Sequence, residues 1–186
     1  YGQVGDGGTA SETACVGAPC SLTPTGVVGQ HTFQSIAAGD AHTCGLTPDG
    51  DLYCWGLNRS GQLGNAAADS TSSFPVRVDD PASGPVTWIA IGAGAVHTCG
   101  VTSTGAAYCW GGNPNGQLGV GTTGGSYATP QPVAGGLSFA GIDGGVFHSC
   151  ARTAAGQAYC WGDNDRGELG DGTFTDRSTP VPVIQN

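Results

Sequence analysis

The chain has 186 residues, of which 35 are Gly, 11 Pro and 8 Cys, and 5 basic residues against 14 acidic ones leave a formal charge of −9. So much Gly excludes a mainly helical protein, because Gly costs about 1 kcal/mol per helical position relative to Ala, and the lack of a three-residue Gly period excludes collagen. Five scattered Arg and no Lys offer no phosphate-neutralising stripe, so neither nucleic acid nor an anionic membrane surface is an expected partner.

The first stretch, 1–34, reads as the second half of a repeat. Gly2-Gln3-Val4-Gly5-Asp6-Gly7 matches Gly167-Glu168-Leu169-Gly170-Asp171-Gly172, but no His-x-Cys precedes it. No charged start and apolar run open the chain at Tyr1, so a mature chain or a piece of a longer one is expected. Residues 35–87 form the first whole repeat. His42-Thr43-Cys44-Gly45-Leu46-Thr47 and Asp51-Leu52-Tyr53-Cys54-Trp55-Gly56 flank Pro48-Asp49-Gly50, which predicts a hairpin. Strand alternation then puts His42, Cys44 and Leu46 on one face. Asn58 and Gly61-Gln62-Leu63-Gly64 follow, then a Ser/Thr/Asp-rich loop over 65–73, then Pro75-Val76-Arg77-Val78. Pro cannot donate to a ladder, so this closing strand belongs at a sheet edge.

Residues 88–137 and 138–186 repeat the pattern. His97-Thr98-Cys99 and His148-Ser149-Cys150 stand 55 and then 51 residues further on, with Cys109-Trp110-Gly111 and Cys160-Trp161-Gly162 behind them. An aromatic lies nine residues before each His, at Phe33, Trp88 and Phe139, and an Ile six before, at Ile36, Ile91 and Ile142. Pro130 and Pro132, then Pro180 and Pro182, mark the closing strands. The second and third loops of variable composition are 79–85 and 121–128. A period of about 50 marks stacked units that bury faces a single unit cannot. The predicted fold is all-β, about three and a half four-stranded blades of an open or partial propeller.

The run Gly-x-x-His-(Thr/Ser)-x-x-(Leu/Val)-Thr-x-x-Gly-x-x-Tyr-x-Trp-Gly-x-Asn-x-x-Gly-Gln-Leu-Gly resembles the repeats of the regulator of chromosome condensation family, with Arg152 standing where the other repeats have Leu46 and Val101. The resemblance implies a β-propeller, usually a ring of about seven blades. Family members include a guanine-nucleotide exchange factor, ubiquitin-ligase modules and secreted bacterial propellers, one of which inhibits a β-lactamase. A shared fold does not carry a shared activity. The Cys pairs and the lack of a basic tail depart from the nuclear members, and no exchange-factor residue carries over.

The turn lies midway between Cys44 and Cys54, so antiparallel pairing sets them opposite each other, within disulfide range. Cys99 with Cys109 and Cys150 with Cys160 repeat this, and Cys15 with Cys20 would close a short loop. Four disulfides are therefore expected, each contributing about 2–3 kcal/mol, in an oxidising extracellular compartment. The competing reading is zinc on His42, Cys44 and Cys54, but a fourth ligand is not evident. Asp163-Asn164-Asp165-Arg166-Gly167-Glu168 is a weak match to a calcium loop. Asn58-Arg59-Ser60 is a glycosylation sequon, set against Asn58 as the turn-forming Asn of its repeat. The three recurrent His and the Trp55, Trp110 and Trp161 set are read as blade structure, and His31 as a surface residue. No catalytic motif is present, and no cofactor is expected. The expected function is a non-enzymatic extracellular structural or protein-binding module, with other copies of itself among its candidate partners through the incomplete blade, as a ring or a filament; the alternatives are a secreted protein inhibitor or adhesin-like binder and, behind these, a guanine-nucleotide exchange regulator. Three and a half blades leave faces open, so Tyr1 to Thr32 is expected to contact a segment outside these residues.

Overall fold

The computed structural model describes residues 2–8, 21 and 23–184. Cys15 and Cys20, expected as a pair, lie outside the described residues. Among the described residues, twelve strands form three antiparallel four-stranded sheets. Blade 1 holds β1 (Ser35–Ala38), β2 (His42–Leu46), β3 (Leu52–Leu57) and β4 (Thr71–Arg77). Blade 2 holds β5 (Trp88–Ala93), β6 (His97–Thr102), β7 (Ala107–Gly112) and β8 (Ser126–Pro132). Blade 3 holds β9 (Gly141–Gly144), β10 (His148–Arg152), β11 (Ala158–Gly162) and β12 (Arg177–Pro182). Strand order follows chain order in every blade.

The hairpin turn sets the register. Thr47 N–H donates to the Asp51 carbonyl and Gly50 N–H to the Thr47 carbonyl, which closes the turn and pairs Leu46 with Leu52 and Cys44 with Cys54. Cys99–Cys109 and Cys150–Cys160 occupy the same rung in their blades. Each of these three pairs is joined as a disulfide, with Cα separations of 4.0, 4.1 and 4.1 Å.

The Pro-marked strands β4, β8 and β12 lie at one sheet edge. The first strands lie at the other, where β1 meets β5 and β5 meets β9. The blades therefore fan out from their first strands, with the donor-poor Pro strands on the rim. The loops expected over 65–73 and 121–128 are shorter than the composition suggests, because 71–73 and 126–128 belong to β4 and β8. Pairing through a register shift recruits them: Gly56 opposes Ser72 and Leu57 opposes Thr71. Phe33 packs with the blade that follows it, its ring filling the space beside Gly45.

The core lies between blades rather than within them. Cys44, Leu46, Leu52, Cys54 and Leu63 of blade 1 share one buried cluster with Trp88 and Trp110 of blade 2. Cys99, Val101, Cys109 and Leu118 of blade 2 share another with Phe139, Ile142 and Trp161 of blade 3. Burying each large apolar side chain stabilises by roughly 1.5–3 kcal/mol, so a blade owes most of its stability to a neighbour.

Candidate functional site: the blade joint and the uncovered face

Each joint is built around one backbone carbonyl. The Gln62 carbonyl of blade 1 accepts from the Thr98 hydroxyl at 2.8 Å and from Trp110 Nε1 at 3.1 Å, both in blade 2. The Thr98 hydrogen is thereby committed, so its oxygen accepts from His42 Nε2, 2.9 Å away. This chain of donors fixes the Nε2–H tautomer of His42 and leaves Nδ1 buried without a partner. The second joint repeats the design: the Gln117 carbonyl accepts from Ser149 Oγ at 2.8 Å and Trp161 Nε1 at 2.9 Å, and His97 Nε2 lies 2.9 Å from Ser149 Oγ. The disulfides border the same spot, with Cys44 Sγ 3.9 Å from Thr98 Oγ1 and Cys99 Sγ 3.6 Å from Ser149 Oγ. Burial holds the His42 imidazole down at about 4 against the pull of Asp40. Burial first, then the neighbouring His42 and His148, hold His97 at about 3.

On the first blade the carbonyl comes from the N-terminal segment. Gln3 O accepts from Trp55 Nε1 at 2.8 Å and from Thr43 Oγ1 at 3.0 Å. Gly7 N–H donates to the Ser73 carbonyl of β4. Residues 2–8 thus deliver to blade 1 the carbonyl that Gln62 and Gln117 deliver to blades 2 and 3.

Blade 3 presents the face that receives a neighbour in blades 1 and 2. On the covered faces His42, Cys44 and Leu46 are 1%, 0% and 0% exposed, and His97, Cys99 and Val101 are all 0%. The corresponding His148 and Cys150 are half-buried and Arg152 is exposed. Glu168 takes the position of Gln62 and Gln117. Its Oε2 accepts from Arg166 N–H at 2.8 Å, as Gln62 Oε1 accepts from Ser60 N–H at 2.9 Å. Two neutral buried positions of the joint, Leu46/Val101 and Gln62/Gln117, are therefore charged on this face. The Arg152 departure is visible in the sequence, but its meaning is not, because nothing local says which face a neighbour covers.

The remaining candidates resolve locally. All six described Cys are disulfide-bonded, so zinc has no thiolate among the described residues. Asn58 is buried; its Nδ2 donates to the Ala68 and Asp69 carbonyls and its Oδ1 accepts from Leu63 N–H. The nitrogen that a glycan would occupy is thus engaged in the turn. Asp163, Asp165 and Asp176 bring carboxylate oxygens within 4.8 Å of one another. Only the first two belong to the suspected calcium run, and a calcium ion there would take its further oxygens from backbone carbonyls or water. Burial, then Asp176, Glu168 and Asp165, push the Asp163 carboxyl up. Trp55, Trp110 and Trp161 are buried and committed to the joints. His31 stacks on Tyr53 with ring centroids 4.1 Å apart. Among the described residues no helix is long and apolar enough to cross a membrane.

The profile of the Regulator of chromosome condensation (RCC1) repeat matches residues 33–62, 88–117 and 139–168 in one form and 49–101, 104–152 and 155–186 in another. The Ultraviolet-B receptor UVR8 of Arabidopsis thaliana is 38% identical over 153 residues, 81% of this chain and 34% of the receptor. The mitochondrial RCC1 domain-containing protein RUG3 of the same plant is 34% identical over 161 residues, 83% of this chain and 36% of that protein. The chain thus spans about a third of the length of these relatives. The human E3 ubiquitin-protein ligase HERC2 is 34% identical over 147 residues, 77% of this chain and 3% of the ligase. Yeast RCC1 (Prp20), solved bound to Kap60, superposes with a TM-score of 0.73 at 25% identity, over 82% of this chain and 37% of that one. Three blades of four antiparallel strands, joined through the same residues at each repeat, place the chain in the regulator of chromosome condensation (RCC1) repeat family.

Proposed function

We propose that the chain is a non-enzymatic, extracellular, protein-binding propeller module whose contact surface is its variable loops. One observation carries this reading: three disulfide-stapled blades lock together through buried joints and hold the exposed loop over 121–125 and its counterparts on a rigid scaffold, and loops on a rigid scaffold are where such folds meet partners. The disulfides support the location, because such bonds persist in oxidising compartments. We take the repeats as 35–87, 88–137 and 138–186, with 1–34 as the second half of a blade repeat.

A second reading, a secreted inhibitor, is favoured by the formal charge of −9, which steers the chain toward a basic target.

Purified secreted proteins, basic enzymes among them, would be titrated against the immobilised chain and against a Thr122→Arg/Thr123→Arg variant of the exposed 121–125 loop. The module reading expects a binder whose affinity falls about tenfold or more with the variant, the scale of one lost interfacial anchor. A chain that retains none of these proteins would overturn the reading. Loss of catalytic rate in a bound enzyme would favour the inhibitor reading.

A further inference from the structure

Alternation along a strand sends each Trp of the Cys-Trp-Gly runs to the face opposite its own Cys. At both joints the indole therefore meets the disulfide of the preceding blade, not that of its own. Trp110 shares a buried cluster with Cys44 and Cys54, and Trp161 shares one with Cys99 and Cys109. All six residues are fully buried. In the second joint a short path leads from indole to sulfur. Trp161 Nε1 and Ser149 Oγ both donate to the Gln117 carbonyl, at 2.9 and 2.8 Å, and Ser149 Oγ lies 3.6 Å from Cys99 Sγ. The first joint repeats the path through Gln62 and Thr98, at 3.1, 2.8 and 3.9 Å. It also holds a second indole, Trp88, whose ring centroid lies 5.8 Å from that of Trp110. Phe139 takes that place in the second joint.

Indole absorbs ultraviolet light and, once excited, gives up an electron readily. A disulfide accepts one into its S–S antibonding orbital. Val101, Ala107 and Leu118, which complete the second cluster around the pair, are aliphatic and take no electron. We propose that each joint is a photoreductive site, at which light absorbed by the Trp of one blade opens the disulfide of the blade before it. Excited Trp161 passes one electron to the Cys99–Cys109 bond, which breaks into a thiolate and a thiyl radical. The oxidised indole releases its Nε1 proton and the thiolate takes up a proton, so the net transfer is one hydrogen atom. The indole radical and the thiyl radical then combine in a carbon–sulfur bond. The chain keeps its mass, gains one free thiol per event, and exchanges a staple within a blade for one between blades. In the first joint Trp88 is a second donor for the Cys44–Cys54 bond.

This chemistry is independent of what the loops bind. The folded parent chain and Trp161→Phe would be illuminated at the red edge of the indole band, where Tyr and Phe do not absorb. Each sample would then be unfolded in iodoacetamide and mapped by peptide mass without reduction. The parent is expected to carry label on one Cys of each pair, Cys44/Cys54 and Cys99/Cys109, rising with light dose and absent in the dark. Trp161→Phe is expected to lose the Cys99/Cys109 label to the dark level while keeping the Cys44/Cys54 label. Label on Cys99 or Cys109 that persists in the variant overturns the proposal. So does a parent without label after a dose that has consumed measurable indole absorbance. Should Trp161→Phe not fold, as judged by circular dichroism, the emission of Cys99→Ala/Cys109→Ala decides. Electron transfer to the disulfide quenches Trp161, so emission is expected to rise above that of the parent, and unchanged emission overturns the proposal.

Discussion

At Gly64 a β-carbon would sit 2.5 Å from the Trp110 indole nitrogen, on a backbone with φ of +71°. Gly64 looks like any turn Gly in the sequence, and its real constraint is a ring 46 residues away. Gly64→Ala is expected to cost about 3 kcal/mol in urea denaturation, combining roughly 1–2 kcal/mol of left-handed backbone strain with displacement of the indole. Gly121→Ala is the control: its φ is +89°, but nothing lies within 4 Å of the added carbon, so only the strain of about 1–2 kcal/mol is expected. The buried imidazoles set an acid sensitivity. Both His42 and His97 titrate below the unfolded value of about 6.5, so between these values the unfolded chain binds more protons. Their contribution is intact above about pH 6.5 and declines as pH falls. The decline ends near pH 4 for His42 and near pH 3 for His97. For His42 alone the loss by pH 4 is on the order of 3 kcal/mol. Asp171, held at about 2 first by the Thr173 hydroxyl and also by Arg177, adds a loss of the same sign below its unfolded value. Urea midpoints at pH 7 and pH 4 should therefore differ, and His42→Gln should flatten the difference.

At the scale of elements, the hairpin register was legible and the length of the rim strand was not. Two Cys ten positions apart with a Pro-Asp-Gly turn at the centre leave one antiparallel register, and the structure has that register at Cys44↔Cys54. The pairing of β4 depends on a register shift opposite Cys54 and Gly56, which a stretch of Ser, Thr and Asp does not announce. Its composition reads as loop because these residues hydrogen-bond their own backbone readily. The disulfide staples a short loop, so replacing Cys44 and Cys54 together with Ala is expected to cost about 2–3 kcal/mol of stability. The measurement is thermal or urea unfolding of the double variant, with the Cys99–Cys109 pair as a parallel case. A near-zero effect would mean that the inter-blade core alone fixes the hairpin.

At the scale of the molecule, blades protect one another in sequence. Cys44 and Cys99 are sealed by the blade that follows, whereas Cys150 is half-buried on the uncovered face. Graded reduction followed by alkylation and peptide mass mapping should therefore label Cys150 and Cys160 before the other two hairpin pairs, because thiol exchange needs access to a sulfur. Equal labelling of all three would show that the blades separate faster than reagent attacks. The sequence by itself determined the repeat, the blade count, the hairpin registers and the rim position of the Pro strands, because all of these rest on local turn geometry and on periodic side-chain type. Only the tertiary structure decided what His42, Gln62 and Thr98 do together, that the core lies between blades, and that Arg152 and Glu168 mark an uncovered face. Those facts depend on groups brought together across 36 to 56 residues of chain, and no local pattern encodes which carbonyl a hydroxyl will meet.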